Sequence, residues 1–355
     1  MSTLFPASVV GSMPRSSFVR DLISDAIPQP HEDRAAAMDA AVRYVVALQE
    51  HAGLDVVTDG EWRRKSYIGV IAELADGFTV ERNPKDGRPW TVVTDKVVSA
   101  TPGFIASELR FLKSITRRRT KITLPAPALL GERLWDSERS RHAYPTREAF
   151  VRDCIPVLRR EVAMIVEAGA DIVQIDDPHL CLFVDPEVRA GYDDPDAAGD
   201  FAVDTINALV DGFDGVTFAV HLCRRAGARG RGERQHEGGY DAILPQLNRL
   251  QVQHLTMEFT GDRAGDMGVL RKLRPDFQIG LGCVSVDPGD VTPCDAVVDC
   301  VRCAMQHLAP DRVTLNPDCG FAPGSGAVVD MDEVYRKLQI EVQAAGRLRE
   351  MVARK

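Results

Sequence analysis

From end to end the chain alternates short, largely apolar runs, many of them β-branched, with longer stretches of helical periodicity. Eight runs qualify as strands: residues 8–12, 55–58, 121–124, 171–176, 217–222, 254–259, 278–284 and 312–316. Each is closed by a polar or Gly-rich turn, which is how a strand buried on both faces of a parallel sheet reads. Helical patterns lie between them, at 33–51, 147–168, 196–211, 292–308 and 330–353. Thr292 before Pro293 reads as an N-cap followed by proline at the first helical position. Gly53 and Gly169 read as the residues that end helices and lead into strands. Strands and helices in strict alternation predict an α/β fold, a (β/α)8 TIM barrel, with a doubly wound open sheet as the alternative. Residues 76–112 break the rhythm and predict a hairpin insertion after the second strand. Residues 224–239, rich in Gly and Arg, read as a loop.

Such a barrel needs a large core, and a chain of 355 residues with 45% hydrophobic residues can supply one. We expect one barrel domain over residues 1–355. The net charge of −9 argues against nucleic acid or an anionic membrane surface as the main partner. No apolar run approaches the roughly 18 residues of a membrane span, and the first residues lack the pattern of a secretion signal. The expected location is cytoplasmic. Eight cysteines scattered through so long a chain suit thiol or metal chemistry better than a disulfide framework. Cys154, Cys181, Cys283, Cys294, Cys300 and Cys303 fall in apolar or helical stretches and read as core fillers or inert surface thiols.

In a barrel of this type the chemistry lies at the C-terminal ends of the strands. Read in order, those ends carry Gly11-Ser12, Asp59-Gly60-Glu61, Asp176-Asp177, His221-Leu222-Cys223, Glu258, Ser285 to Asp287, and Asn316 to Gly320. His221 and Cys223 are two apart, so in an extended strand they point to one side and could grip one ion. With Glu258 and Cys319 they form a set of two thiolates, an imidazole and a carboxylate, which suits Zn²⁺. The structural alternatives are a hydrogen-bonded histidine, two small apolar fillers and a paired carboxylate. Arg224, Arg225, Arg229, Arg231 and Arg234 follow Cys223. They read either as recognition of a substrate anion, Arg224 and Arg225 above all, or as a solvated loop in an acidic protein. Asp177 and His179 either line the mouth or cap the next helix.

Seven ordered stretches resemble one family. They are Val10-Gly11-Ser12, Thr58-Asp59-Gly60-Glu61, Gln174 to Pro178, His221-Leu222-Cys223, Met257-Glu258-Phe259, Ile279 to Gly282, and Asn316 to Phe321. The sequence resembles the catalytic half of cobalamin-independent methionine synthase, and especially its short single-barrel relatives. Arg224, Glu237 to Tyr240 and Asp262 to Gly265 are similar to the same short branch, which includes epoxyalkane:coenzyme M transferases. The resemblance implies a zinc-dependent transfer of an alkyl group to a thiol. It implies zinc ligands at His221, Cys223, Glu258 and Cys319. It implies an amino-acid thiol such as homocysteine held by Gly11 and Ser12 and by the carboxylates of Glu61 and Asp176, which suit an ammonium group.

Departures from the family shape the donor expectation. Full-length methionine synthase has two barrels and this chain has the length of one, so the half that helps hold folate polyglutamate is not expected. The histidine acid that assists the folate leaving group falls on Asp287 here, and an unperturbed aspartate is a poor acid at neutral pH. Asp176 and Asp287 are therefore the candidate catalytic residues. The implied donor is methylcobalamin, from a corrinoid or corrinoid protein, rather than folate. The alternatives are an epoxide or other alkyl donor with a thiol such as coenzyme M, or a zinc- and thiol-binding protein without turnover.

Overall fold

The computed structural model describes residues 3–24, 31–83, 87–225, 234, 236–260, 265–322 and 330–354. Seven parallel strands form the wall: β1 (Val56–Val57), β4 (Arg119–Pro125), β5 (Ile172–Asp176), β6 (Thr217–Leu222), β7 (His254–Glu258), β8 (Gln278–Val284) and β9 (Val313–Pro317), paired in that order. Apart from them, β2 (Ala75–Arg82) and β3 (Pro89–Ser99) pair as an antiparallel hairpin. The wall strands are buried along nearly their whole length, as their apolar runs require.

The eighth position is filled differently from the sequence expectation. Residues 8–12 do not form a strand. Instead Ala7 bridges Leu315 and Ser8 bridges Val56, both in parallel sense. The Ser8 amide donates to Leu315 O at 3.0 Å, and the Asp55 amide donates to Ala7 O at 3.0 Å. This short segment joins the two edge strands and closes the ring, so the open doubly wound alternative does not hold. Val9 to Met13 then run on, buried, across the C-terminal end of the wall.

Local chemistry sets the helix ends. Thr146 caps Arg147–Glu167 and Asp330 caps Met331–Ala353 through their side chains, each satisfying an amide at the first turn. Gly53 and Gly169 adopt the left-handed conformation that ends their helices, with φ of 97° and 78°. Thr292 is not an N-cap: the helix Cys294–Ala304 begins after Pro293, and the Thr292 hydroxyl accepts instead from the Ser285 amide at 3.1 Å. A loop contact after β8 has taken the hydroxyl that a local pattern would give to the helix. Residues 104–112, within the stretch read as an insertion, belong to a helix, Phe104–Ile115, whose apolar face packs into the core. Among the described residues no helix is long and apolar enough to cross a membrane.

Candidate metal centre and substrate pocket

His221 lies near the end of β6 and Cys223 just beyond it, so strand alternation sends both side chains inward. Cys319 arrives from the turn after β9. That turn is fastened by Asp318, whose Oδ1 accepts from the Val286 amide at 3.0 Å and whose Oδ2 accepts from the Thr260 hydroxyl. The result brings residues far apart in sequence together. Cys223 Sγ and Cys319 Sγ are 3.5 Å apart, and one ligand atom from each of His221, Cys223 and Cys319 lies within 4.8 Å of the others.

The trio has the properties of a metal cradle. His221 Nδ1 is 3.1 Å from Asp176 Oδ1, and its Nε2 is buried with no hydrogen-bond partner. A carboxylate on one ring nitrogen fixes the tautomer that leaves the other a lone pair. A proton shared with Cys319, and then burial, push the Cys223 thiol well above its ordinary value. A soft cation between the sulfurs would reverse that sign. Burial pulls His221 down, but the hydrogen bond to Asp176 and the charges of Asp176 and Cys319 outweigh it and raise it. Glu258 is buried beside the trio but not among the mutually close ligand atoms: its Oε2 accepts from the Arg224 amide at 2.5 Å.

Two further carboxylates are buried at the same end of the wall. Glu61 sits after β1 at a positive φ of 59°, following Gly60 at 69°. Such consecutive left-handed residues store strain that the surroundings must hold. Here Trp62 Nε1 donates to Met13 O at 3.2 Å, and the Met13 amide donates to Gly60 O at 3.1 Å. Glu61 Oε1 accepts from the Thr123 hydroxyl at 2.7 Å. Burial raises the Glu61 carboxyl, Arg64 opposes that, and the nearby charge of Asp176 raises it further. Gly11 makes room for it, since a Cβ there would lie 2.7 Å from Glu61 Oε1. The Ser12 hydroxyl accepts from the Ala322 amide at 3.2 Å, tying the first turn to the last.

Other residues singled out in the sequence are placed elsewhere. The Arg224 guanidinium is buried: Nε and Nη2 donate to Gly238 O at 3.1 and 2.7 Å, and Nη1 donates to Glu258 O at 3.3 Å. It also stacks over the Tyr240 ring, 4.5 Å from its centroid. Arg234 pairs with Asp185 and Glu187. Arg229, Arg231 and the stretch 261–264, with Asp262 and Arg263, lie outside the described residues. Asp177 caps the short helix Pro178–Leu182. His179 Nε2 is 2.8 Å from the Tyr192 hydroxyl, and burial pulls it down to about 3, so the ring is neutral. Asp287 is half-buried on the loop after β8, and its carbonyl accepts from Lys337 Nζ at 2.7 Å. Among the remaining cysteines, Cys154, Cys181 and Cys283 are buried, Cys294 and Cys300 half-buried, and Cys303 exposed.

Sequence reasoning missed Thr123, Arg64 and Glu108, which stand behind Glu61, and gave no role to Gln174. A signal existed for two of them. Thr123 and Gln174 are polar residues within buried wall strands, where burial demands a partner.

The model of the cobalamin-independent synthase catalytic domain matches residues 5–347. The chain belongs to that family. Two methionine synthases are similar along most of both chains. That of Saccharolobus solfataricus is 28% identical, covering 99% of this chain and 97% of its own. That of Sulfolobus acidocaldarius is 26% identical, covering 90% and 86%. The structure of a B12-independent methionine synthase from Shewanella sp. W3-18-1, in complex with selenomethionine, superposes with a TM-score of 0.79 at 21% identity. It covers 99% of this chain and all of that one, and it shows the same barrel fold. Membership of the cobalamin-independent synthase family thus extends over the ring and every strand end described above.

Proposed function

We propose that the protein transfers a methyl group to the thiol of homocysteine, giving methionine, with zinc held by His221, Cys223, Cys319 and Glu258. The observation that carries this reading is the buried, unpartnered His221 Nε2 beside two sulfurs 3.5 Å apart, at the same strand ends as two buried carboxylates. Zinc bound there supplies a Lewis acid that holds a thiol as its thiolate at neutral pH. The chain's own residues do the rest by binding and orienting. Asp176 fixes the His221 ring through Nδ1. Glu61 and Asp176 receive the ammonium group of the amino acid, which offsets the burial and the Asp176 charge that raise the Glu61 carboxyl. Gly11 and Ser12 offer backbone and hydroxyl to its carboxylate. Glu258, already bonded to the Arg224 amide, would be the fourth residue to hold the metal.

The donor in this proposal is methylcobalamin rather than methyltetrahydrofolate. The position that carries an acid in folate-using relatives is Asp287, and a corrinoid leaving group needs no proton. The test is methionine formation by the zinc-loaded protein from homocysteine with each donor in turn. Product from methylcobalamin alone is expected. Product from folate, or tighter binding of coenzyme M than of homocysteine, would overturn the reading.

A further inference from the structure

We infer that Thr123 is a positioning residue that sets Glu61 for an ammonium-bearing thiol, with its hydroxyl proton aimed by the buried Arg64–Glu108 pair. The inference rests on the reading of Glu61 given above. Arg64 and Glu108 are both buried, and Glu108 Oε2 accepts from Arg64 Nε at 2.9 Å and Nη2 at 2.8 Å. That leaves Arg64 Nη1 directed at Thr123, donating to its carbonyl at 2.9 Å and its hydroxyl oxygen at 3.0 Å. A guanidinium can only donate, and a threonine hydroxyl has one proton. With Arg64 on its oxygen, that proton points to Glu61 Oε1, 2.7 Å away. Glu61 is thereby fixed as an acceptor at Oε1, and its other oxygen is left to meet a cation. Arg64 and the Thr123 bond also oppose the upward push that burial gives the Glu61 carboxyl.

The neighbouring strand repeats the device. Thr123 of β4 is in register with Gln174 of β5. Gln174 Nε2 donates to Val10 O at 3.0 Å and to Asp176 Oδ1 at 2.8 Å, so both amide protons are committed. One layer of the barrel interior therefore supplies one donor to each of the two carboxylates. Thr123 reaches the site through Glu61, which is not one of the metal trio, so its effect should fall on amine recognition rather than on the thiol.

The test is calorimetric binding of L-homocysteine and of its des-amino analogue, 4-mercaptobutanoate, to the zinc-loaded full chain. Loss of one hydrogen bond to a charged group predicts that Thr123→Val weakens homocysteine about tenfold and leaves the analogue unchanged. Thr123→Ser, which keeps the hydroxyl, should retain the preference. Equal weakening of both ligands in Thr123→Val, or a Thr123→Ser variant as impaired as Thr123→Val, would mean packing alone and overturn the inference. Glu61→Gln run in parallel separates the two levels. If Glu61→Gln abolishes the preference and Thr123→Val keeps it, the positioning role fails alone. If both variants keep it, the ammonium reading of Glu61 fails and the positioning role with it.

Discussion

His221 and Asp176 show how much one hydrogen bond decides at this site. Asp176 Oδ1 accepts from Gln174 and from His221, so it is itself held while it holds the ring. Such outer partners of metal-binding histidines usually matter nearly as much as the ligands. Asp176→Asn keeps the size but replaces the acceptor's charge, and we expect zinc affinity to fall about 10- to 100-fold. Competition with a chromogenic chelator measures it; unchanged affinity would separate Asp176 from the metal centre. Glu61 and Thr123 present the matching case on the side proposed for the amine, where a hydroxyl buried within β4 faces a carboxylate on a strained turn.

At the level of elements, the ends of β6 and β7 are fastened to the chain that follows them. The Tyr240 hydroxyl shares its one proton between carbonyls at the ends of β6 and β7, at 3.3 Å for Leu222 and 3.2 Å for Glu258, and accepts from the Glu258 amide at 2.9 Å. Arg224 lies over the Tyr240 ring and bonds to Gly238 O. This clamp fixes where Glu258 stands relative to Cys223. A lysine cannot reproduce the fork of donors. Arg224→Lys is therefore expected to destabilise the fold by about 1–3 kcal/mol in urea denaturation. A variant of unchanged stability with a selectively raised KM would instead make Arg224 a substrate contact. The β8–β9 pairing contributes too, since its register shifts between Gly282 and Val284, just before the turns that deliver Ser285 and Cys319.

For the whole molecule, ring closure depends on the last helix as well as on the first residues. Glu341, within Met331–Ala353, is buried, and its Oε1 accepts from the Ser8 amide at 2.9 Å, beside the bridges that join β1 and β9. Burial pushes its carboxyl up to about 8 from an ordinary 4.5, with the Ser8 amide and Lys121 opposing. The folded state thus keeps a proton that the unfolded chain releases. Its contribution to stability is complete below the ordinary value and is lost as pH rises through about 8. Glu341→Gln cannot ionise and still offers an acceptor to Ser8. We expect wild type to lose stability relative to Glu341→Gln between roughly pH 5 and 8, by denaturant titration across that range. A difference that stays constant would mean that Glu341 titrates in the ordinary range.

The sequence by itself determined the alternation of strands and helices, and with it the α/β class and the strand ends where the polar residues gather. These follow from periods of 2 and 3.6, which act over a few neighbours. The same period placed His221 and Cys223 on one side. Only the tertiary structure decided the rest. It brought Cys319 to Cys223 across 96 positions, gave the closing of the ring to Ala7 and Ser8, and moved Thr292 from a helix cap to a loop contact. It also set Thr123 against Glu61, 62 positions away. Each of these is a choice among long-range partners for a buried polar group or an unpaired edge. Such a choice is made by what packing brings within 3 to 4 Å, which local pattern does not encode.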